Sequence, residues 1–244
     1  MEISKELAEI LGMFAADGCL QKQYVCMWGN IHEDKNYYDN IVCPFYSKVF
    51  NKKVAAHEKK SNSVYGFYLC DKDVVEFFRS LGFTNNKTYN VRIPQRIMKS
   101  EDKEIWSAFI RGFADCDGCF SLMKRKGKYK PFKLKFNTYP KISIKIVSQG
   151  MIDDLHQLLK RLNLNHTLGI ERKNKLNEAD APWMVIRGEK NIETWMKVVG
   201  FNNPSKIIKY QVWKKFGHCP PSSGIEERKL FLTGQLNPED FYKT

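Results

Sequence analysis

No stretch of eighteen consecutive apolar residues occurs in this 244-residue chain, so no segment is long and apolar enough for a membrane-spanning helix. The opening, Met1-Glu-Ile-Ser-Lys-Glu6, lacks the plan of a secretory signal. Cysteine is neither abundant nor even in number. Seven thiols without a secretion signal read as reduced, in an intracellular setting such as cytoplasm, nucleoid or an organelle. Cys116-Asp-Gly-Cys119 has C-x-x-C spacing, but no second pair or paired histidines complete a zinc site, and a redox motif would open a helix rather than end one. Acidic residues are scarce: 27 Asp and Glu stand against 40 Lys and Arg, a net charge of +13. That surplus points to a polyanion, nucleic acid before anionic membrane. What is plentiful is core material: 43% hydrophobic and 13% aromatic residues exclude a disordered chain.

Two apolar, helix-like runs end alike. One is Leu7-Ala-Glu-Ile-Leu-Gly-Met-Phe-Ala-Ala-Asp17-Gly18; the other is Trp106-Ser-Ala-Phe-Ile-Arg-Gly-Phe-Ala-Asp-Cys-Asp117-Gly118. The expectation is two helices stopped by Gly18 and Gly118. Each then carries an aspartate at its negative end, where a carboxylate is mildly repelled. Two such placements ask for a compensating cation. Gly12 and Ala16 share one helix face, as do Gly112 and Cys116. Small residues there let two helix backbones approach closely. Packed so, Asp17 and Asp117 arrive side by side. Adjacent carboxylates repel unless they share a proton or bind metal, and hard oxygen ligands suit Mg²⁺.

The repeat extends beyond these runs. Strand-like residues follow Gly18 as far as Trp28; Glu33 to Phe50 reads as a helix. Val54 to Lys60 and Val64 to Cys70 form a hairpin, and Asp71 caps a helix from Lys72 to Leu81. In the second half, strands are expected at Cys119 to Lys126, Lys141 to Ser148, His166 to Arg172 and Trp183 to Arg187. Helices are expected at Met151 to Leu162 and Ile192 to Val199. Both halves close on a Gly-Phe pair, Gly82-Phe83 and Gly200-Phe201. The second copy is about 18 residues longer, and the basic stretch from Met123 to Pro140, between its first two strands, takes the difference. The division expected is a first repeat at 1–86, a linker at 87–103, a second repeat at 104–216 and a polar tail at 217–244.

Residues 119–149 contain no Asp or Glu. They do contain Lys124, Arg125, Lys126, Lys128, Lys130, Lys133, Lys135, Lys141 and Lys145, with Tyr129, Phe132, Phe136 and Tyr139 interleaved. Lysines at alternate strand positions share a face that can follow a phosphate backbone, while polar neighbours read base edges. Gln21, Lys22, Gln23, Tyr24 and His32 are the first-half candidates, and Arg172 and Arg187 extend the second set. Basic strands beside paired carboxylates suit phosphodiester hydrolysis, in which divalent metal activates water and neutralises the leaving oxygen.

Ile10-Leu-Gly-Met-Phe-Ala-Ala-Asp-Gly18 and Ile110-Arg-Gly-Phe-Ala-Asp-Cys-Asp-Gly118 resemble the LAGLIDADG motif of homing endonucleases. The resemblance covers residues 4–216, and the stretch from Lys87 to Pro94 resembles the linker of intron- and intein-encoded members. It implies an α+β fold of two pseudo-symmetric αββαββα repeats, with the motif helices central and antiparallel sheets forming a DNA-binding saddle. It implies a monomeric, Mg²⁺-dependent enzyme that cuts both strands of a long, nearly asymmetric DNA target. Asp17 and Asp117, with Gly18 and Gly118, would hold two or three metal ions. Lys87 and Lys206 match the family's lysines by position, and Gln149 and Asn30 its water-ordering polar residues. Asp115, whose counterpart is Ala15, falls at a structural position. An intron maturase and a non-catalytic DNA-binding protein are the alternatives on the same fold. Retention of both aspartates favours cleavage.

Overall fold

The computed structural model describes residues 2–59, 63–85, 87–126, 133–173 and 179–242, without the side chains of residues 87, 125, 126, 133 and 134. Ser4 accepts a hydrogen bond from the Leu7 amide at 3.1 Å, and α1 (Lys5–Asp17) starts there. Its residues from Leu7 to Ala15 are all buried, the mark of a helix covered on every side. Strands β1 (Gly18–Leu20) and β2 (Val25–Asn30) follow, then α2 (Ile31–Tyr37), a π turn (Tyr38–Val42) and α3 (Cys43–Phe50). The π turn has a local cause. Pro44 has no amide hydrogen for the α ladder, and the preceding Cys43 amide reaches back five residues to Tyr38. Strands β3 (His57–Lys59) and β4 (Val64–Leu69) and helix α4 (Lys72–Ser80) complete the first set, Asp71 capping α4 as expected.

Short helices α5 (Lys87–Asn90) and α6 (Gln95–Met98) lead into α7 (Lys103–Cys116). The second set runs β5 (Gly118–Lys126), β6 (Lys133–Lys145), α8 (Gln149–Arg161), β7 (Thr167–Glu171), β8 (Ala181–Arg187) and α9 (Glu189–Val198). The expected linker is pinned to this set. Arg92 forks onto Asp154 at 2.7 and 2.6 Å, and the Ile93 amide donates to the same carboxylate. The two sheets have one topology, β1-β2-β4-β3 and β5-β6-β8-β7, antiparallel throughout. Gly82 and Gly200 both adopt positive φ, +91° and +72°, and the phenylalanine after each is buried.

Two expectations change. The extra length of the second copy goes into the strands themselves as well as the span between them. β5 and β6 have nine and thirteen residues where β1 and β2 have three and six. The segment after 217 is also more than a polar tail. Helix α10 (Pro204–Phe216) packs against α11 (Ile225–Thr233), followed by a 3-10 turn at Pro238–Tyr242. Tyr242 Oη accepts from the Asn137 amide at 3.2 Å, and the Cys219 amide donates to Asn137 O at 3.3 Å, so the C-terminal segment braces the long β5–β6 hairpin.

Helices α1 and α7 cross at their glycines. A Cβ built on Gly12 would lie 2.1 Å from Phe109 O, and one on Gly112 would lie 2.1 Å from Glu9 O. Each backbone occupies the space a side chain would need. One hydrophobic core runs through both sets, from Leu7 and Phe14 through Phe109 and Phe113 to Trp195.

Candidate active site

Helix α1 ends on Asp17, and Asp117 is the residue that caps α7. Both aspartates are exposed, while the glycines after them are buried. Glycine serves a different purpose here from the one expected. Neither Gly18 nor Gly118 is left-handed. A Cβ on Gly118 would lie 2.4 Å from Ala114 O, and one on Gly18 would lie 2.2 Å from the Phe14 ring. Both are glycines because the new strand leaves against the last turn of its own helix. The sharp turn leaves each carboxylate exposed just before the first strand of its sheet. The Cys116 thiol sits in the last turn of α7. Burial pushes it well above the ordinary thiol range, and the negative charges of Asp17, Asp115 and Asp117 push it further, against the pull of Lys206.

A cation, Lys206, sits at the end of α7. Its ammonium donates to Ala114 O at 2.5 Å and Asp115 O at 2.6 Å, on the carbonyl end of α7. The Lys87 side chain lies outside the described residues. Thr88, in the same short helix, lines a cleft of about 250 Å³ with Asp117, Ala15 and Ala16. A larger cleft of about 450 Å³ on the Lys206 side is charged, lined by Asp34, Asp115, Lys206, Lys209 and Arg228 among others. The two flanks of the helix pair are therefore chemically unlike.

A buried network that the sequence reading missed anchors that second flank. Glu9 of α1 accepts from Arg111 of α7 at 3.0 and 2.7 Å and from Asn202 at 2.5 Å. The Asn202 amide donates to Asp115 at 2.8 Å, and Asn203 caps α10 by accepting from the Ser205 amide. Asp115 is thus held inside this network, 2% exposed. Its Oδ1 has no hydrogen-bond partner among the described residues. Burial pushes its carboxyl up to about 7, against the Lys206 charge and the Asn202 and Asn203 backbone hydrogen bonds. Folded Asp115 therefore keeps its proton to higher pH than an unfolded aspartate, whose ordinary value is 3.8. The stability it contributes is present below about pH 4 and lost as pH rises through about 7. Asp115→Asn, which imitates the protonated acid, is expected to remove this loss. In urea unfolding the native chain should weaken against the variant between pH 4 and 7, by up to about 4 kcal/mol. Parallel pH profiles for the two proteins would contradict the assignment.

The remaining expected residues fall in three places. Asn30 is the N-cap of α2, accepting from the His32 and Glu33 amides at 2.8 and 3.3 Å. Gln149 is the first residue of α8, whose N-cap is Ser148, and its amide donates to Asp153 at 2.8 Å. Gln21, Lys22 and Gln23 lie in the β1–β2 turn, held by Arg79 donating to the Gln21 and Lys22 carbonyls, with Tyr24 beside them. His32 is exposed on α2. Lys141 and Lys145 share one face of β6, with Arg187 opposite Lys141. Lys145 is paired with Glu171 at 2.6 Å; Lys124, Lys135 and Arg172 are exposed. Lys128 and Lys130, and the side chains of Arg125, Lys126 and Lys133, lie outside the described residues. Sequence reasoning does not find the aromatic group on the first sheet, half-buried Trp28 with exposed Tyr68 and His57.

Among the described residues, no group of three or more His, Cys, Asp or Glu is placed to hold a metal. Two exposed hard carboxylates suit Mg²⁺ all the same, because that ion is held by one or two carboxylates with waters and substrate phosphates completing its shell.

Two like sheets lie around a glycine-crossed helix pair with an aspartate at the end of each helix, an arrangement similar to that of single-chain LAGLIDADG proteins. Residues 104–200 match the family model for the LAGLIDADG-like domain. Among solved structures, the chain is similar to the meganuclease I-SmaMI bound to uncleavable DNA. That match covers 98% of this chain and 93% of the other, with TM-score 0.55 and 12% identity. It is also similar to I-DmoI in complex with DNA and Ca, over 86% of this chain and 99% of that one, with TM-score 0.54 and 13% identity. At these identities the likeness is one of fold. A curated relative, the Replication factor C small subunit of Methanocaldococcus jannaschii, is 27% identical over 208 residues, 85% of this chain. The chain spans about a tenth of that relative's length.

Proposed function

We propose that the chain is a site-specific DNA endonuclease, making double-strand breaks by metal-dependent phosphodiester hydrolysis at a long, nearly asymmetric target. The reading is carried by two exposed aspartates, Asp17 and Asp117, one at the end of each of two helices that cross at Gly12 and Gly112. A fold alone does not call for them: neither a maturase nor a non-catalytic binder needs two repelling carboxylates at helix ends. Asp17 and Asp117, with the carbonyls of Gly18 and Gly118, would hold the two or three Mg²⁺ ions expected. When bound, those ions would make a water nucleophilic and neutralise the leaving 3′ oxygen. Lys206 brings positive charge to the carbonyl end of α7. Lys87 is proposed for the first flank, and Asn30 and Gln149 for ordering water. The open faces of the two sheets carry the duplex as a saddle, with the cations of the second sheet on its phosphates.

Because one chain holds both motif helices, a monomer suffices for two strands. We take residues 1–86 and 104–216 as the two repeats, 87–103 as the linker and 217–244 as the tail. No helix among the described residues is long and apolar enough to cross a membrane, and a DNA substrate places the work inside the cell. The match to a tenth of a larger relative supports a module carried within a host gene, in keeping with the linker's resemblance to intron- and intein-encoded members.

Incubation with a randomised duplex library, with Mg²⁺ or with EDTA, tests the reading. A defined set of cut sequences should appear with Mg²⁺ alone. Random ends, or cutting in EDTA, would sink it. Binding should also be steeply salt-dependent: with six to ten phosphates neutralised, affinity falls about 10³- to 10⁵-fold between 50 and 200 mM salt. Salt-independent affinity would refute the sheet-on-phosphate interface.

A further inference from the structure

Strand register aligns the open faces of the two sheets residue by residue. Gly18 pairs with Met27, and Gly118 pairs with Ile144. Tyr24 and Trp28 therefore occupy the positions held by Lys141 and Lys145 in the second sheet. The intervening Val25, Met27, Ile142 and Ile144 are buried toward the helices, so the residues compared lie on the other, open face. At these two positions the second sheet has lysines and the first has rings.

Those rings form a fixed cluster. Tyr24 meets Tyr68 at 5.3 Å and 85°, Trp28 meets Tyr68 at 4.9 Å and 70°, and Trp28 meets His57 at 5.3 Å and 88°. Tyr68 is 42% exposed, among the few large hydrophobic side chains on the surface. Edge-to-face packing holds each ring against its neighbour and presents a mixed surface of ring edges and faces. The second face is richer in cations, with Lys141 directly opposite Arg187, Ser143 between the two lysines, and Trp183 opposite Lys145, which pairs with Glu171. On the first face the cation at the rings, among the described residues, is Lys59, 5.6 Å from the centre of Trp28.

Base pairs differ in the groups they show in the major groove. Thymine alone shows a methyl group, which apolar side chains contact; guanine shows the O6 and N7 acceptors that Lys and Arg contact. We infer that the two halves of the target are read by different chemistry: thymine methyl groups under the first sheet, guanine O6 and N7 under the second. This inference rests on the DNA-binding reading above and adds to it the composition of each half-site. Stacking on unpaired bases, as in single-stranded RNA recognition, is less well served, because it needs free ring faces at successive steps.

The native full-length chain tests the inference on a duplex recovered from the randomised library. In one arm, deoxyuridine replaces thymidine one half-site at a time, removing only the methyl groups. In the other, 7-deazaguanine replaces guanine and removes N7. Uracil should weaken binding about tenfold in one half and little in the other, and 7-deazaguanine should do the reverse. The Tyr24→Ala, Trp28→Ala double variant, checked for an unchanged melting transition, identifies the first-sheet half. It should lose the uracil response and keep the 7-deazaguanine response. Equal responses in both halves would overturn the inference while leaving DNA binding intact. So would tighter binding of single-stranded RNA than of the duplex. A library that yields no bound duplex would overturn the DNA-binding reading itself and the inference with it.

Discussion

The Asp17→Asn, Asp117→Asn double variant is expected to lose double-strand cleavage by about 10³-fold or more while still binding its duplex. The size follows from the chemistry. Removing the anionic ligands removes the metal charge that stabilises the transition state, several kcal/mol in all, and each 1.4 kcal/mol is tenfold in rate. Binding survives because the affinity comes from cations on the sheets rather than from the helix ends. The fold should survive too, since both side chains are exposed and asparagine has the same shape. Cleavage assays at saturating protein, with fluorescence anisotropy for affinity, separate the two effects. Cleavage that persists in the double variant would place the chemistry elsewhere.

Gly112→Val is expected to abolish folding or to destabilise the chain by more than about 4 kcal/mol, in the range reserved for severe core defects. A Cβ there meets Glu9 O at 2.1 Å and Glu9 C at 3.0 Å, both main-chain atoms that cannot rotate away. Relief requires α1 and α7 to separate, which would pull Glu9 from Arg111 and open the core through which both repeats are joined. Gly82→Ala is the control. It lies at positive φ with nothing within 4 Å of its Cβ, so it should cost only about 1 kcal/mol. Thermal and urea unfolding of the two variants should differ several-fold in effect. A Gly112→Val protein as stable as the native chain would mean that the helices do not cross at these glycines.

The glycine crossing was legible because it depends on spacing within one helix. Gly12 and Gly112, four residues from Ala16 and Cys116, left few ways for two such faces to meet. The Gly-Phe endings were legible for the same reason: Gly82 and Gly200 are local left-handed caps. The role of Gly18 and Gly118 was misjudged, because a glycine after a helix ordinarily means positive φ. Here it means contact between the new strand and the previous turn, a tertiary fact. The Glu9–Arg111–Asn202–Asp115 network was hidden for a like reason. Its members are separated by up to 193 positions, and no local pattern joins them. Residues 204–216 lack the apolar stripe that marks a helix, so α10 was not singled out, although Asn203-Pro204 is a regular helix start. The lysine run drew attention to the second sheet. The first sheet's aromatic face was passed over because Trp28, His57 and Tyr68 come from three strands and meet only through register.

Stoichiometric cleavage of a supercoiled plasmid bearing the selected target would test most directly whether one chain carries two cutting halves at one shared centre. With Mg²⁺, linear product should rise in proportion to protein and level off at one chain per site. A plateau at two chains per site, or relaxed circles that never become linear, would contradict a single chain delivering Asp17 and Asp117 to the same DNA.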